Sequence, residues 1–226
     1  MSENPVANLE TATHLPANGE PAKRLVVLLH GYGADMHDLI GLASHWTEMI
    51  PDAEFISPNA PEVCDELPSG RQWFPVGDLD LERMHEGVLT VAPMLDTFLD
   101  AELEKRGLTE RDLVLIGFSQ GTMLALHVGL RRVQAPAGII GYSGVLVGPE
   151  HLADEILAKP PVLLVHGSED PLIPVQAQTM TENVLTGAGV RVKSHVSKGL
   201  GHGIDPAGLA LGGHFLVAAF AGAAER

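Results

Sequence analysis

The chain of 226 residues holds a single cysteine, Cys64. One thiol closes no intramolecular disulfide and, without a neighbouring Cys or His pair, builds no zinc site, so a reducing compartment is expected. Basic residues are also scarce: 14 Lys and Arg against 29 Asp and Glu leave a net charge of -15. That charge repels phosphate backbones and anionic headgroups, which argues against nucleic acid as a partner. No apolar run approaches the length that spans a bilayer. Met1-Ser2-Glu3-Asn4-Pro5 carries an acid and no early cation, and no long apolar segment follows, so no secretory signal is visible. The expectation is a soluble, cytoplasmic protein without stable membrane insertion. The sequence also contains no H-x-H, H-E-x-x-H or Cys pair, so no metal and no cofactor are expected.

With 45% hydrophobic and 19% charged residues, the composition is that of a folding globular chain, and the length fits one domain. Residues 1–22 hold Pro5, Pro16, Gly19 and Pro21 among small polar residues and read as a flexible N-terminal arm. A single domain is expected over 23–226. Within it, short apolar runs at 25–29, 54–57, 113–117, 138–142, 162–166 and 190–196 alternate with helical spacing at 38–49, 82–105, 120–130, 175–186 and 206–224. This alternation predicts an α/β fold with a mostly parallel central sheet and helices on both faces. Continuous runs such as Leu25-Val26-Val27-Leu28-Leu29 suit strands buried on both sides. The stripe Val88, Val91, Leu95, Phe98, Leu99, Leu103 reads as core.

Gly117-Phe118-Ser119-Gln120-Gly121 fits G-x-S-x-G and lies where a buried strand gives way to a helix. A nucleophilic serine needs that sharp turn to stand above the sheet edge, and glycines two positions either side remove the clash between strand and helix. The helix start also supplies the Gln120 amide to a developing oxyanion. His30-Gly31-Tyr32-Gly33 follows the first strong strand, where the Tyr32 amide would be the second donor. A general base near neutral pH calls for histidine. Of the 11 present, His202 sits in the glycine-rich turn after the last strand, whereas His195 lies inside a strand and His214 inside a helix. Asp170, past the strand at 162–166 and before Pro171, is the orienting acid, with Glu169 as its rival.

Taken together with Ser57-Pro58-Asn59-Ala60-Pro61, Trp73-Phe74, the run from His166 to Pro174 and Gly201-His202, these motifs resemble the phospholipase/carboxylesterase family that includes acyl-protein thioesterases. The match spans about 25–220 in the same order. The resemblance implies an α/β-hydrolase fold and a Ser119-Asp170-His202 triad with Tyr32 and Gln120 amides as oxyanion hole. It also implies a carboxylic ester, lysophospholipid or S-acylated protein as substrate, with Trp73 in the loop bordering the acyl site. A homodimer is compatible with it. The alternatives left open are another acyl substrate, such as a lactone or peptide, and a catalytically silent binding module. Between Gly144 and Pro160 the chain has room only for a small helix at 151–157, so no lid is expected, and an esterase rather than a lipase. Trp73 and Phe74, in the Pro-rich loop, are expected to form a shallow apolar wall for short and medium acyl chains.

Overall fold

The computed structural model describes residues 9–76 and 80–224. Nine strands and six α-helices follow in the order β1 (Thr11–His14), β2 (Arg24–Leu29), α1 (Met36–Ile40), β3 (Ala53–Pro58), β4 (Glu62–Val63), β5 (Arg71–Gln72), α2 (Leu81–Arg106), β6 (Leu113–Phe118), α3 (Gln120–Arg131), β7 (Gly138–Tyr142), α4 (Leu152–Glu155), β8 (Val162–Gly167), α5 (Gln176–Gly187), β9 (Val192–Ser197) and α6 (Pro206–Ala224). Seven strands form one sheet in the order β1-β3-β2-β6-β7-β8-β9, parallel except for β1, while β4 and β5 make a separate two-stranded ribbon.

Strand periodicity sorts the core into two layers. Leu25, Val27 and Leu29 point to the face covered by α2 and α3, where Val88, Leu95, Leu99 and Leu126 pack. Val26 and Leu28 point to the other face, onto Trp46, Ile50, Phe215 and Leu216. Helices on both faces explain why the strands read as unbroken apolar runs rather than alternating ones. The long helix α2 has strong ends: Asp80 accepts from the Glu82 and Arg83 amides, and Gly107, left-handed at φ 65°, closes it.

Two segments differ from the sequence reading. The expected flexible arm includes Thr11–His14, which pair antiparallel with β3 as an edge strand; residues 1–8 lie outside the described residues. Four residues with a weak half-buried alternation are too few to mark a strand, and it is the paired edge of β3 that orders them. The helix expected at 38–49 is instead the five-residue α1 followed by a 3-10 turn at Gly41–His45. Gly41 at that junction is a poor helix former. Among the described residues, no helix is long and apolar enough to cross a membrane.

Candidate active site

Ser119 occupies the turn between β6 and α3 at φ 53°, ψ -115°, a conformation that costs a non-glycine residue about 1–3 kcal/mol. The surrounding packing enforces it. The Ser119 amide donates to Tyr142 O at 2.9 Å, and the Thr122 hydroxyl lies 2.8 Å from Gly117 O and 2.9 Å from Tyr142 O. A Cβ on Gly121 would lie 1.9 Å from Leu29 O, and one on Gly117 2.3 Å from Gly121 O. Backbone cannot yield to that overlap. Gly121→Ala is therefore expected to give little soluble protein, and what folds should melt many degrees lower; a thermal melt matching the wild type would refute this reading of the turn.

The Gln120 side chain is fastened away from solvent: its Oε1 accepts from the Trp73 amide at 2.8 Å and its Nε2 donates to Phe74 O at 2.7 Å. Its backbone N–H, at the start of α3, has no partner among the described residues, and neither has that of Tyr32. The turn carrying Tyr32 rests on His30, which is fully buried. Its Nδ1 bonds Gly31 O at 2.8 Å and its Nε2 accepts from the Ala60 amide at 3.0 Å, so the ring is neutral in one tautomer. Burial keeps it so by lowering its pKa. Gly31 brings this turn against Ser119: a Cβ there would stand 3.4 Å from Ser119 Cβ.

Asp170 and His202 come from loops that are themselves clamped together. The Glu169 amide donates to Leu200 O at 2.9 Å and the Ser143 hydroxyl to Gly203 O at 3.0 Å. The loops touch where Gly167 leaves no room for a side chain: a Cβ there would fall 2.1 Å from Gly201 O. His202 Nδ1 meets Asp170 Oδ2 at 2.7 Å. Asp170 Oδ1 accepts from the Leu172 and Ile173 amides at 2.9 Å each, and a second imidazole, His166, has Nε2 3.2 Å from Oδ2. Burial alone would raise this carboxyl; the Ile173 amide, His202 and the Leu172 amide together outweigh it and hold it below the ordinary carboxylate range. Glu169 is exposed, His195 half-buried in β9 and His214 exposed on α6.

Ser119, Gln120, Tyr32 and His202 line one cleft of about 370 Å³ with Gly31, Phe118, Met84, Met123, Leu172 and Ile173. The last four also line an adjoining apolar pocket of about 270 Å³, completed by Val145, Leu146, Pro149, Ala177, Met180 and Val184 among others. Trp73 lines neither. It is 1% exposed, donates from Nε1 to His30 O at 2.9 Å and packs against the His30 ring at 5.4 Å between centroids. Phe74 is fully buried against Gly87 of α2. The apolar wall expected from these aromatics is thus built elsewhere, by α2, α3, α5 and the segments before α4 and α5. Sequence reasoning missed this wall and His166; the periodicity that marked Val88 as core extends back to Met84, four residues earlier, and was its one local sign.

A parallel, doubly covered sheet with a serine turn at one strand end, and an acid and histidine on later loops, is the α/β-hydrolase arrangement. The sequence profile of the phospholipase/carboxylesterase family matches residues 12–219, and the chain belongs to that family of carboxylic ester hydrolases. It is 29% identical over 200 residues to acyl-protein thioesterase 1 of Gibberella zeae, covering 80% of this chain and 84% of that one. It is 26% identical over 186 residues to the esterase YpfH of Escherichia coli, covering 82% and 78%. The crystal structure of esterase PE8 superposes with a TM-score of 0.89 at 42% identity, covering 92% of this chain and 97% of that one.

Proposed function

We propose that the protein is a cytoplasmic carboxylesterase or thioesterase that cleaves short and medium acyl esters or thioesters through Ser119, His202 and Asp170. The observation that carries the reading is the 2.7 Å Asp170–His202 bond at the rim of a cleft that Ser119 also lines. In the proposed reaction His202 Nε2 takes the Ser119 proton as Oγ attacks the acyl carbon, and the Tyr32 and Gln120 amides hold the oxyanion. The proton then passes to the departing alcohol or thiol, and water, activated by the same histidine, releases the acid from the acyl-enzyme. Ser119 and His202 both line the cleft; the serine–histidine bond of such sites is often long without ligand and tightens around substrate.

The acyl chain would leave the cleft past Met84, Met123, Leu172 and Ile173 into the apolar pocket. Each methylene buried there adds up to about 0.8 kcal/mol, or about fourfold in kcat/KM, until the pocket is full. Ala177→Phe is expected to fill it, lowering kcat/KM for octanoyl esters at least tenfold while leaving acetyl esters within about twofold. Equal losses on both would remove the pocket from the substrate path. The segment from Gly144 to Pro160 carries only a 3-10 turn and the four-residue α4, so no rate jump is expected at an oil-water interface. A hydrolysis profile over chain length, with thioesters beside oxygen esters, tests the reading. A fluorophosphonate that fails to label the protein would support a binding module instead.

The pH dependence has a defined sign. Asp170, held below the ordinary range, stays ionised as pH falls, and a protonated His202 cannot accept the serine proton. kcat/KM should therefore drop toward acid pH with a limiting slope of one on a logarithmic plot. A slope of two would mean that a second group must also lose its proton.

A further inference from the structure

Outside the cleft, three potential metal ligands meet between the first turns of α2 and the 3-10 turn Pro149–His151. His85 is only 7% exposed, and its Nε2 is shielded from solvent with no hydrogen-bond partner among the described residues. The His151 ring stacks over it, 4.9 Å between centroids and 16° from parallel, and His151 Nε2 lies 3.3 Å from Glu150 Oε1. One nitrogen from each histidine and one Glu150 oxygen lie within 4.8 Å of one another. Behind them His127 on α3 is 5.9 Å from His85, ring to ring. Gly148, left-handed at φ 58°, lets the turn approach this closely, since a Cβ there would fall 2.5 Å from the His85 ring. Two stacked imidazoles can be simple packing, but packing leaves the solvent-free nitrogen of His85 uncompensated, at a cost of about 1–3 kcal/mol.

We propose that His85, Glu150 and His151 form a binding site for a divalent transition-metal ion of the zinc kind, separate from the catalytic cleft. Two imidazoles and a carboxylate suit such an ion far better than Mg²⁺ or Ca²⁺, which take oxygen ligands. Ligand atoms on a tetrahedral zinc stand about 3.4 Å apart, so the three must draw in. Glu150 and His151, with side chains 65% and 49% exposed on a short turn, have the freedom to do so, and water would complete the shell. Glu155, the other acid here, is taken up by Arg131 at 2.6 Å.

The ion would act on the substrate pocket rather than on the reaction. Met84 and Pro149, next in sequence to His85 and Glu150, both line that pocket, so a bound metal would pin part of its wall while the triad works without it. The test is calorimetric titration of Zn²⁺ into the chelator-treated full chain at neutral pH, with Co²⁺ absorption as a second readout. One site per chain is expected, retained in Ser119→Ala and in His37→Ala, which removes an exposed histidine elsewhere. The site should weaken roughly tenfold or more in both His151→Ala and Glu150→Gln, whose metal-free melting temperatures should match the wild type. Absence of stoichiometric binding, or binding unchanged in these two variants, overturns the proposal.

Discussion

Ser119→Ala is expected to lower kcat on a p-nitrophenyl ester by about 10⁵–10⁶, with the fold unchanged. Without the nucleophile, what is left is the oxyanion donors and substrate binding, a residual of about 10³–10⁴ over water in triad hydrolases. The fold should survive because the turn is held by backbone and by Thr122, not by the serine hydroxyl. Alanine keeps the same Cβ at the same φ, so the strain is unaltered. The measurement pairs kcat with a thermal melt and fluorophosphonate labelling: activity and label should vanish together while the melt stays within a few degrees. A variant that kept more than a small fraction of wild-type kcat, or still took up the label, would place the nucleophile elsewhere. If activity fell only in step with the melting temperature, the loss would be structural and the assignment of Ser119 would fail.

The serine turn was legible because all its requirements are local. Gly117 and Gly121 stand where strand and helix cross at under 3 Å for any added Cβ, and a buried strand and a helix flank them in the same dozen residues. That Asp170 and His202 would meet was readable for a related reason, since loops after successive parallel strands emerge at one sheet edge. What the sequence hid is what depends on distant partners. Trp73 in a Pro-rich loop looks the same whether it faces a substrate or, as it does, donates to a carbonyl 43 residues away. The apolar pocket gathers residues from α2, α3, α5 and two loops, and the helical spacing within any one of them does not show that they converge. His166 resembles any strand-end histidine until the chain folds back and sets Asp170 against it.

Asp170→Asn should lose on the order of 10⁴ in kcat with little change in KM, and the surroundings of Asp170 say why the amide cannot adapt. One carboxylate oxygen accepts two backbone N–H groups, from Leu172 and Ile173, at 2.9 Å each. Those donors are fixed, so the amide oxygen must take that side and the NH₂ must face His202. His202 Nδ1, 2.7 Å from that position, would then have to accept, which moves the ring proton to Nε2 and leaves no lone pair for the Ser119 proton. Turning the amide over would set NH₂ against two N–H donors in a fully buried place, at a cost of about 1–3 kcal/mol for each polar group left unpaired. A wrong-tautomer defect acts on proton transfer and spares substrate contacts, which is why kcat should carry the loss. Glu169→Gln, at an exposed neighbour, should stay within about twofold of wild type. Were Glu169→Gln the variant that lost activity while Asp170→Asn kept it, the acid would be the residue one position back.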